Sequence, residues 1–205
     1  MAAAETSAYV EEEYLRHDLQ ERLTHWTAVI AMIVLVLTGF QIRNPSFAPF
    51  GTMGNAQYLH MVFGYLFLCV GVIHVYFFFA AGKWKIAMPV FSDIPEFVPI
   101  IKYYLFITKD KPDYAKYNPL QKSAYAALFV VSLFMCLTGF ALYWPGYFEG
   151  FVYSMGGLMA IRGWHLLITW IYIGFTGFHV YIAITEDWRL LRALVTGYYC
   201  RRVIR

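Results

Sequence analysis

The chain has 205 residues, of which 60% are hydrophobic and 20% aromatic, and only 14% are charged. A soluble domain carries about 25% charged residues, so this composition excludes an ordinary soluble protein and indicates an integral membrane protein. The net charge of +3 is modest, and no nucleic acid is expected as a partner. The length suits one domain, so we predict a single transmembrane domain over residues 1–205 with no separate catalytic module.

The N-terminal segment, residues 1–22, is polar and contains Glu11, Glu12 and Glu13. A cleavable signal peptide would instead have a basic start followed by an apolar core. The first apolar stretch is therefore expected to remain in the mature protein.

Four long apolar stretches follow, near residues 24–42, 58–80, 122–144 and 163–184. Each has about the 20 residues that a helix needs to cross a hydrocarbon core of about 30 Å. Helices are expected because an unpaired backbone amide in lipid costs several kcal/mol, and because the stretches do not alternate as barrel strands do. We predict an all-α membrane protein, a four-transmembrane-helix bundle built from two helical hairpins.

The second and third spans are joined by a long loop, residues 81–121, which contains five prolines. Its middle part, residues 97–107, is amphipathic and suited to the membrane interface. Basic residues concentrate in this loop and in both terminal segments, whereas only Arg43 and Arg162 lie on the other side. Because basic residues favour the cytoplasmic side, both termini and the long loop are expected in the cytoplasm, with the protein in the cell inner (plasma) membrane.

The two halves of the chain resemble each other, which indicates two related helical hairpins. The segment Leu37-Thr38-Gly39-Phe40 recurs as Leu137-Thr138-Gly139-Phe140. Histidines repeat as well, and each of the second and fourth spans has two of them with 13 residues between. These four histidines are His60, His74, His165 and His179.

The spacing of the histidines indicates haem ligands. Fourteen helical steps return a side chain to within about 40° of its starting face and advance it by about 21 Å, so each pair lines one face at two depths. Ionisable residues inside a bilayer normally face a partner, and haem iron is a good partner for neutral imidazole. We predict two haem b groups, which are held without thioether links because the three cysteines form no CxxCH motif.

Hydrogen-bonded packing, a proton path, a zinc site or a transporter would also place histidines inside a membrane. Ligands at two depths cannot meet at one tetrahedral metal ion. A transporter or proton path would normally include intramembrane carboxylates, and the middles of the four stretches contain none.

His60 and His165 begin their spans, and we predict that they bind the outer haem. On the inner side three histidines compete for two positions. Sequence symmetry favours His74 with His179, whereas the repeat counterpart of His25 is a tyrosine.

The chain resembles a known family through a series of segments in order. This family is the b-type cytochrome subunit of membrane-bound nickel–iron hydrogenases, which is related to the cytochrome b subunit of respiratory formate dehydrogenase. The segments are Arg22-Leu23-Thr24-His25-Trp26, His60-Met61-Val62-Phe63-Gly64-Tyr65, Tyr103-Tyr104-Leu105-Phe106, Asn118-Pro119-Leu120, Leu137-Thr138-Gly139-Phe140-Ala141-Leu142-Tyr143, Arg162-Gly163-Trp164-His165, and His179-Val180-Tyr181 followed by Glu186-Asp187.

The resemblance implies that His60 pairs with His165 and that His25 pairs with His179. The family has an arginine where this chain has His74, so the chain departs from the pattern there. Either His74 lies near a haem propionate or quinone, or it replaces His25 as a ligand. We favour the first alternative.

The resemblance also implies partners and a route for electrons. The partners are the large (nickel–iron) and small (iron–sulfur) hydrogenase subunits, in an oligomer of the whole complex. Electrons from hydrogen would pass to the outer haem, the inner haem and a quinone, either menaquinone or ubiquinone. This subunit would not act on hydrogen by itself.

Polar residues on the inner side are candidates for the quinone site. Asn118 and Gln121 precede the third span and would hydrogen-bond a quinone carbonyl or cap the helix. Glu186 and Asp187 would relay protons or form a simple charged helix end.

Three rival functions are compatible with the sequence. The chain could be the cytochrome b subunit of a formate dehydrogenase or a thiosulfate reductase. It could also be a stand-alone b561-type quinone oxidoreductase, or a non-redox transporter or anchor.

Overall fold

The structure is a computed structural model that describes residues 9–110, 112–114, 116–185 and 188–204. In chain order the described elements are β1 (Tyr9–Leu15), α1 (Leu19–Arg43), α2 (Met53–Ala80), α3 (Trp84–Ala87), a 3₁₀ helix (Phe91–Glu96), α4 (Phe97–Tyr104), α5 (Pro119–Tyr143), α6 (Glu149–Ser154), α7 (Leu158–Thr185), α8 (Trp188–Thr196) and β2 (Tyr198–Ile204).

Within the described residues, four helices are long and apolar enough to cross a membrane: α1, α2, α5 and α7. The predicted fold class, a membrane protein of four transmembrane helices, is confirmed. Each helix begins several residues before the apolar stretch that predicted it, because polar residues that suit the membrane surface also fit a first helical turn. α5 illustrates this point, since Asn118 is its N-cap and Pro119 its first residue, a position where the missing N–H of proline costs nothing.

The contacts divide the chain into two compact units. The first unit takes in the described part of residues 1–74 and 170–205, and the second takes in the described part of 75–169. In the first unit, α1 packs antiparallel to the C-terminal part of α7. The rings of Phe40 and Trp170 lie 5.3 Å apart, and Thr176 Oγ1 lies 3.7 Å from the sulfur of Met32.

A two-stranded antiparallel ribbon joins the two terminal segments within the first unit. β1 pairs with β2 in a register that runs from Tyr9 opposite Ile204 to Leu15 opposite Tyr198. Gly197, which precedes β2 with φ +96°, accepts hydrogen bonds at its carbonyl from the backbone amides of Arg16 (2.9 Å) and His17 (3.1 Å). The all-α prediction did not include this ribbon, because its two strands lie at opposite ends of the chain and neither shows a pattern of its own.

In the second unit, the long loop is tied to the start of α5 by an ion pair. The ammonium of Lys122 lies 2.8 Å from Asp93 Oδ1 and 3.1 Å from Oδ2, and the same carboxylate accepts the backbone amide of Val90 at 2.9 Å. The hydrogen bond from Lys122 lowers the pKa of Asp93 from its ordinary value. The 3₁₀ helix and α5 are therefore linked by a charged contact that needs an ionised carboxylate.

The segment that the sequence assigns to the membrane interface is helical from Phe97 to Tyr104. Leu105 is the C-cap of this helix, and Phe106 after it has a φ of +58°, in the left-handed region. The backbone amide of Ile107 then donates to the carbonyl of Lys102 at 2.9 Å, which is the long bond of a Schellman cap. The interfacial position of this helix stays a prediction.

The Asp93–Lys122 contact predicts a dependence of stability on pH. The pKa of Asp93 is lower in the folded protein, so the contact stabilises the fold above the unfolded pKa of about 3.9 and is lost as the pH falls through the folded value. We expect Asp93→Asn to lower the stability at pH 7 by about 1 kcal/mol or less, or roughly 2–4 °C in Tm, with little further loss on acidification. Thermal unfolding in detergent at neutral and acid pH measures both effects. Asp110→Asn, at an exposed position of the same loop, is the matched control, and an equal Tm change in both variants would contradict the prediction.

Candidate functional site

Two threonines of α1 bind two histidines of α2 in the first unit. Thr38 Oγ1 lies 2.8 Å from His60 Nδ1, and Thr24 Oγ1 lies 3.3 Å from His74 Nδ1. The threonines are separated by the same 14 steps as the histidines. α1 and α2 therefore form an antiparallel hairpin with a threonine–histidine bond at each of two levels.

The second unit repeats one of these contacts between α5 and α7. Thr138 Oγ1 lies 2.9 Å from His165 Nδ1. Thr138 and His165 stand in the same places of their hairpin as Thr38 and His60, so the internal repeat of the sequence extends to this hydrogen bond.

The threonine hydroxyls determine which imidazole nitrogen carries the proton. Thr38 Oγ1 donates its single hydrogen to the carbonyl of Val34 at 2.7 Å, and Thr138 Oγ1 donates to the carbonyl of Phe134 at 2.9 Å. Each oxygen can then only accept from the histidine, so Nδ1 of the imidazole carries the hydrogen. In this tautomer Nε2 has the lone pair that a metal ion requires.

A glycine follows each of the two threonines of the repeat and makes room for the imidazole. A Cβ atom built at Gly39 would lie 3.5 Å from Cε1 of His60, and one at Gly139 would lie 3.5 Å from Cε1 of His165. These are ordinary contact distances, so an alanine would just fit at either position. A longer side chain would press on the ring.

His25 and His179 approach each other directly within the first unit. Their ring centroids are 6.4 Å apart with an angle of 58° between the planes. His25 also makes an edge contact with Trp26, and His179 stacks on Phe175. These contacts bring an imidazole of α1 next to one of α7.

The structure thus brings two of the predicted histidines next to each other, and each of the other three contacts a threonine. His25 is next to His179, while His74 is bound to Thr24, the residue before His25. His60 and His165 belong to different units, and each is bound by its own threonine.

The two residues proposed for quinone binding form a helix cap. The backbone amide of Gln121 donates to Asn118 Oδ1 at 2.9 Å, and the backbone amide of Asn118 donates to Gln121 Oε1 at 3.1 Å. Asn118 is buried and its Nδ2 lies 3.4 Å from the hydroxyl of Tyr104. Helix capping, one of the two alternatives from the sequence, is therefore what these side chains do, and a contact of either with quinone stays a prediction.

The structure also shows the contacts of the sixth histidine, His17, and the state of the three cysteines. The imidazole of His17 lies 3.2 Å from the carboxylate of Glu21, one helical turn away. Cys69, Cys136 and Cys200 are free thiols. Glu186 and Asp187, considered as a proton relay, lie outside the described residues.

The chain matches the family described as prokaryotic cytochrome b561 over residues 16–197. This match includes every histidine and threonine described above. The chain belongs to the prokaryotic cytochrome b561 family. As a b-type cytochrome it requires haem b.

Three curated relatives of this cytochrome bear similar names. The "Probable Ni/Fe-hydrogenase B-type cytochrome subunit" of Cupriavidus necator is 30% identical, with 89% of this chain and 85% of the relative covered. The subunit of the same name from Azotobacter vinelandii is 31% identical, with coverages of 89% and 82%. The "Probable Ni/Fe-hydrogenase 1 B-type cytochrome subunit" of Escherichia coli K12 is 28% identical, with 86% of each chain covered.

The geometry of the histidines suits the haem b that the family requires. Two imidazoles on one metal atom would hold their ring centres at most roughly 6.3 Å apart, since each metal–nitrogen bond is about 2.0 Å and each nitrogen lies about 1.1 Å from its ring centre. The 6.4 Å between His25 and His179 agrees with that spacing. The Nδ1–H tautomers of His60 on α2 and His165 on α7 meet the chemical requirement for metal ligands.

Reasoning from the sequence missed Thr24, Thr38 and Thr138 as part of this site. The sequence does contain a sign of them, because Thr38 and Thr138 recur in the LTGF repeat. Thr24 also precedes Thr38 by 14 residues, the separation of His60 from His74. The repeat indicates the two hairpins but does not by itself indicate a contact with histidine.

The close approach of glycine to imidazole predicts the effect of a bulky residue. We expect Gly39→Leu to displace His60 and to reduce the b-type absorption per chain of the purified cytochrome to about half or less. Gly39→Ala should retain it, because a Cβ there makes only ordinary contact.

Gly71→Leu on α2 is the control, since a Cβ at Gly71 would meet no described atom within 4 Å. The prediction is wrong if Gly39→Leu binds as much haem as Gly71→Leu.

Proposed function

We propose that this chain is the b-type cytochrome subunit of a nickel–iron hydrogenase and that it passes electrons from the hydrogenase to a quinone in the membrane. The relatives named for such subunits align with most of their length. The observation that carries the proposal is the set of threonine-bound and paired histidines inside the family match.

The proposed site holds two haem b groups, one between His60 and His165 and one between His25 and His179. Haem b, when bound, supplies a carrier that accepts and gives up one electron at a time. The separation of the His25 and His179 rings supports the second pair. The equal threonine contacts of His60 and His165 support the first pair, because they give both imidazoles the same tautomer.

His74 is proposed to lie beside the inner haem without binding its iron. The ring centres of His25 and His179 are 6.4 Å apart, whereas His74 is bound to Thr24 on the neighbouring helix. A neutral imidazole at this place suits a contact with a haem propionate or with quinone. The alternative is His74 as the ligand in place of His25.

A quinone site, for menaquinone or ubiquinone, is proposed at the same end as His25 and His179. The capping box uses the carbonyl oxygens of Asn118 and Gln121, so the donor hydrogens of Gln121 Nε2 are the part of this pair suited to a quinone carbonyl. The electrons of hydrogen oxidation would leave the protein here, together with protons taken from the cytoplasm.

The orientation proposed for the chain has both termini and the long loop in the cytoplasm of the cell and His60 and His165 nearer the periplasm. The antiparallel pairing of β1 with β2 supports a common side for the two terminal segments. The basic residues of these segments and of the loop support the cytoplasmic side. The hydrogenase would then be periplasmic.

The hydrogenase assignment predicts which reductant acts on the cytochrome. In membranes that contain the whole complex, we expect hydrogen to reduce the b-type absorption bands and an added quinone to reoxidise them. His60→Ala should abolish hydrogen-dependent quinone reduction, because it removes a ligand of the outer haem, while the hydrogenase subunits still reduce a soluble dye.

Different results of this experiment point to the rival functions. Reduction of the bands by formate, or reoxidation by thiosulfate, with no response to hydrogen would replace the hydrogenase by another partner. Quinone reduction by the purified chain alone would show a stand-alone oxidoreductase.

The ligand assignment predicts the haem content of four variants. We expect two haems per wild-type chain in a pyridine haemochrome measurement. His60→Ala and His165→Ala should each leave one haem, His25→Ala should also leave one, and His74→Ala should leave two with an altered potential of the inner haem. One haem in His74→Ala together with two in His25→Ala would exchange the roles of these two residues.

A further inference from the structure

We propose that Thr38 and Thr138 are positioning residues that tune the outer haem. By accepting the Nδ1 hydrogens of His60 and His165, they make both imidazoles stronger electron donors and lower the reduction potential of the haem that these histidines are proposed to bind. This inference rests on the proposed function, because it takes His60 and His165 as the ligands.

The direction of these hydrogen bonds follows from the hydroxyl groups. Thr38 Oγ1 is 2.7 Å from the carbonyl of Val34 and 3.1 Å from that of Leu35. Thr138 Oγ1 is likewise 2.9 Å from the carbonyl of Phe134 and 3.0 Å from that of Met135. Because the one hydroxyl hydrogen is used within the helix, the oxygen accepts from the imidazole.

Burial strengthens the hydrogen bond between each threonine and its histidine. Thr38 and Thr138 are fully buried, with 0% of their surface exposed. A hydrogen bond in a water-free interior of low dielectric constant is electrostatically stronger than the same bond in water. No solvent competes for the threonine oxygen, and the bond lengths of 2.8 and 2.9 Å are those of well-formed hydrogen bonds between nitrogen and oxygen.

The chemical consequence concerns the nitrogen on the far side of the ring. When Nδ1–H donates a hydrogen bond, electron density at Nε2 rises and the imidazole becomes a more basic ligand. A more basic axial ligand favours ferric over ferrous iron, so the reduction potential falls.

The inner pair lacks this feature in the part of the chain that the structure describes. His25 and His179 have ring contacts with each other, with Trp26 and with Phe175, and no described hydrogen bond involves either imidazole. The chain thus gives its two ligand pairs different surroundings. The outer haem receives the pair with the stronger donors, a difference that favours electron flow from the outer haem to the inner one.

The experiment compares valine and serine at the two threonines in the whole complex in membranes. Valine has nearly the shape of threonine and no acceptor, whereas serine keeps the hydroxyl. Redox titration of the b-type bands gives the potential of each haem, and the haem absent from His60→Ala identifies the outer one. Thr185→Val on α7 is the control, since among the described residues the Thr185 hydroxyl bonds only to its own helix, at the carbonyl of Tyr181 (2.8 Å).

We expect Thr38→Val and Thr138→Val each to shift the outer haem to a more positive potential, with a larger shift in the double variant. The inner haem should keep its potential. The serine variants should stay close to the wild type, and Thr24→Val should leave the outer haem unchanged, because Thr24 contacts His74 instead.

The inference is wrong if the reduction potential of the outer haem in the valine variants equals that in Thr185→Val. It is also wrong if serine and valine shift this potential equally. If valine removes the haem, retention of the haem in the serine variants supports positioning by the hydroxyl, whereas its loss in both shows a role in packing alone. A wild-type chain without haem would instead refute the proposed function on which the inference rests.

Discussion

A hydrogen-bonding group inside a hydrocarbon layer must find its partner within the protein, because no water is there to provide one. The threonine–histidine bond meets this requirement for two side chains at once. The threonine hydrogen is satisfied within its own helix, and its oxygen satisfies Nδ1 of a histidine on the next helix. A single contact thereby joins the two helices of a hairpin and determines the tautomer of the histidine.

The rest of the site depends on this contact. Gly39 and Gly139 follow the threonines and allow the imidazole to approach the helix backbone. The contact occurs in both hairpins, at Thr38 and Thr138. Among the described residues a second such contact is seen in the first hairpin alone, where Thr24 binds His74. The corresponding residue of the second hairpin is Ala124, which has no hydroxyl. The two hairpins are therefore related but not equivalent, and the ring next to His179 is that of His25 on α1.

The sequence predicted those features that depend on composition and local spacing. The length and apolarity of the four spans were sufficient to identify the helices, and the spacing of His60 from His74 and of His165 from His179 was sufficient to identify haem as the cofactor. Helical spacing does not show whether the ring of His25 or that of His74 lies next to His179, and in the structure the ring of His25 does. The threonines were missed because a hydroxyl in an apolar helix normally bonds its own backbone, which these hydroxyls also do.

Asn118 and Gln121 show a different reason why the sequence alone does not determine a residue's role. Their spacing is that of a capping box, which a helix start requires in any protein, so the sequence alone could not assign them to a quinone. The ribbon of β1 and β2 was missed for a third reason, since its pairing connects residues far apart in the chain.

That pairing has a consequence for how the protein is made. β1 leaves the ribosome before the first membrane helix and β2 after the fourth, so β1 has no partner until all four helices have been synthesised. The two strands can meet only if they end in the same aqueous compartment, which requires an even number of completed crossings. The hydrogen bonds of the ribbon can therefore form only after all four helices have been synthesised, and an odd number of crossings would keep the two strands apart. The paired strands are therefore compatible only with an even number of inserted helices between them.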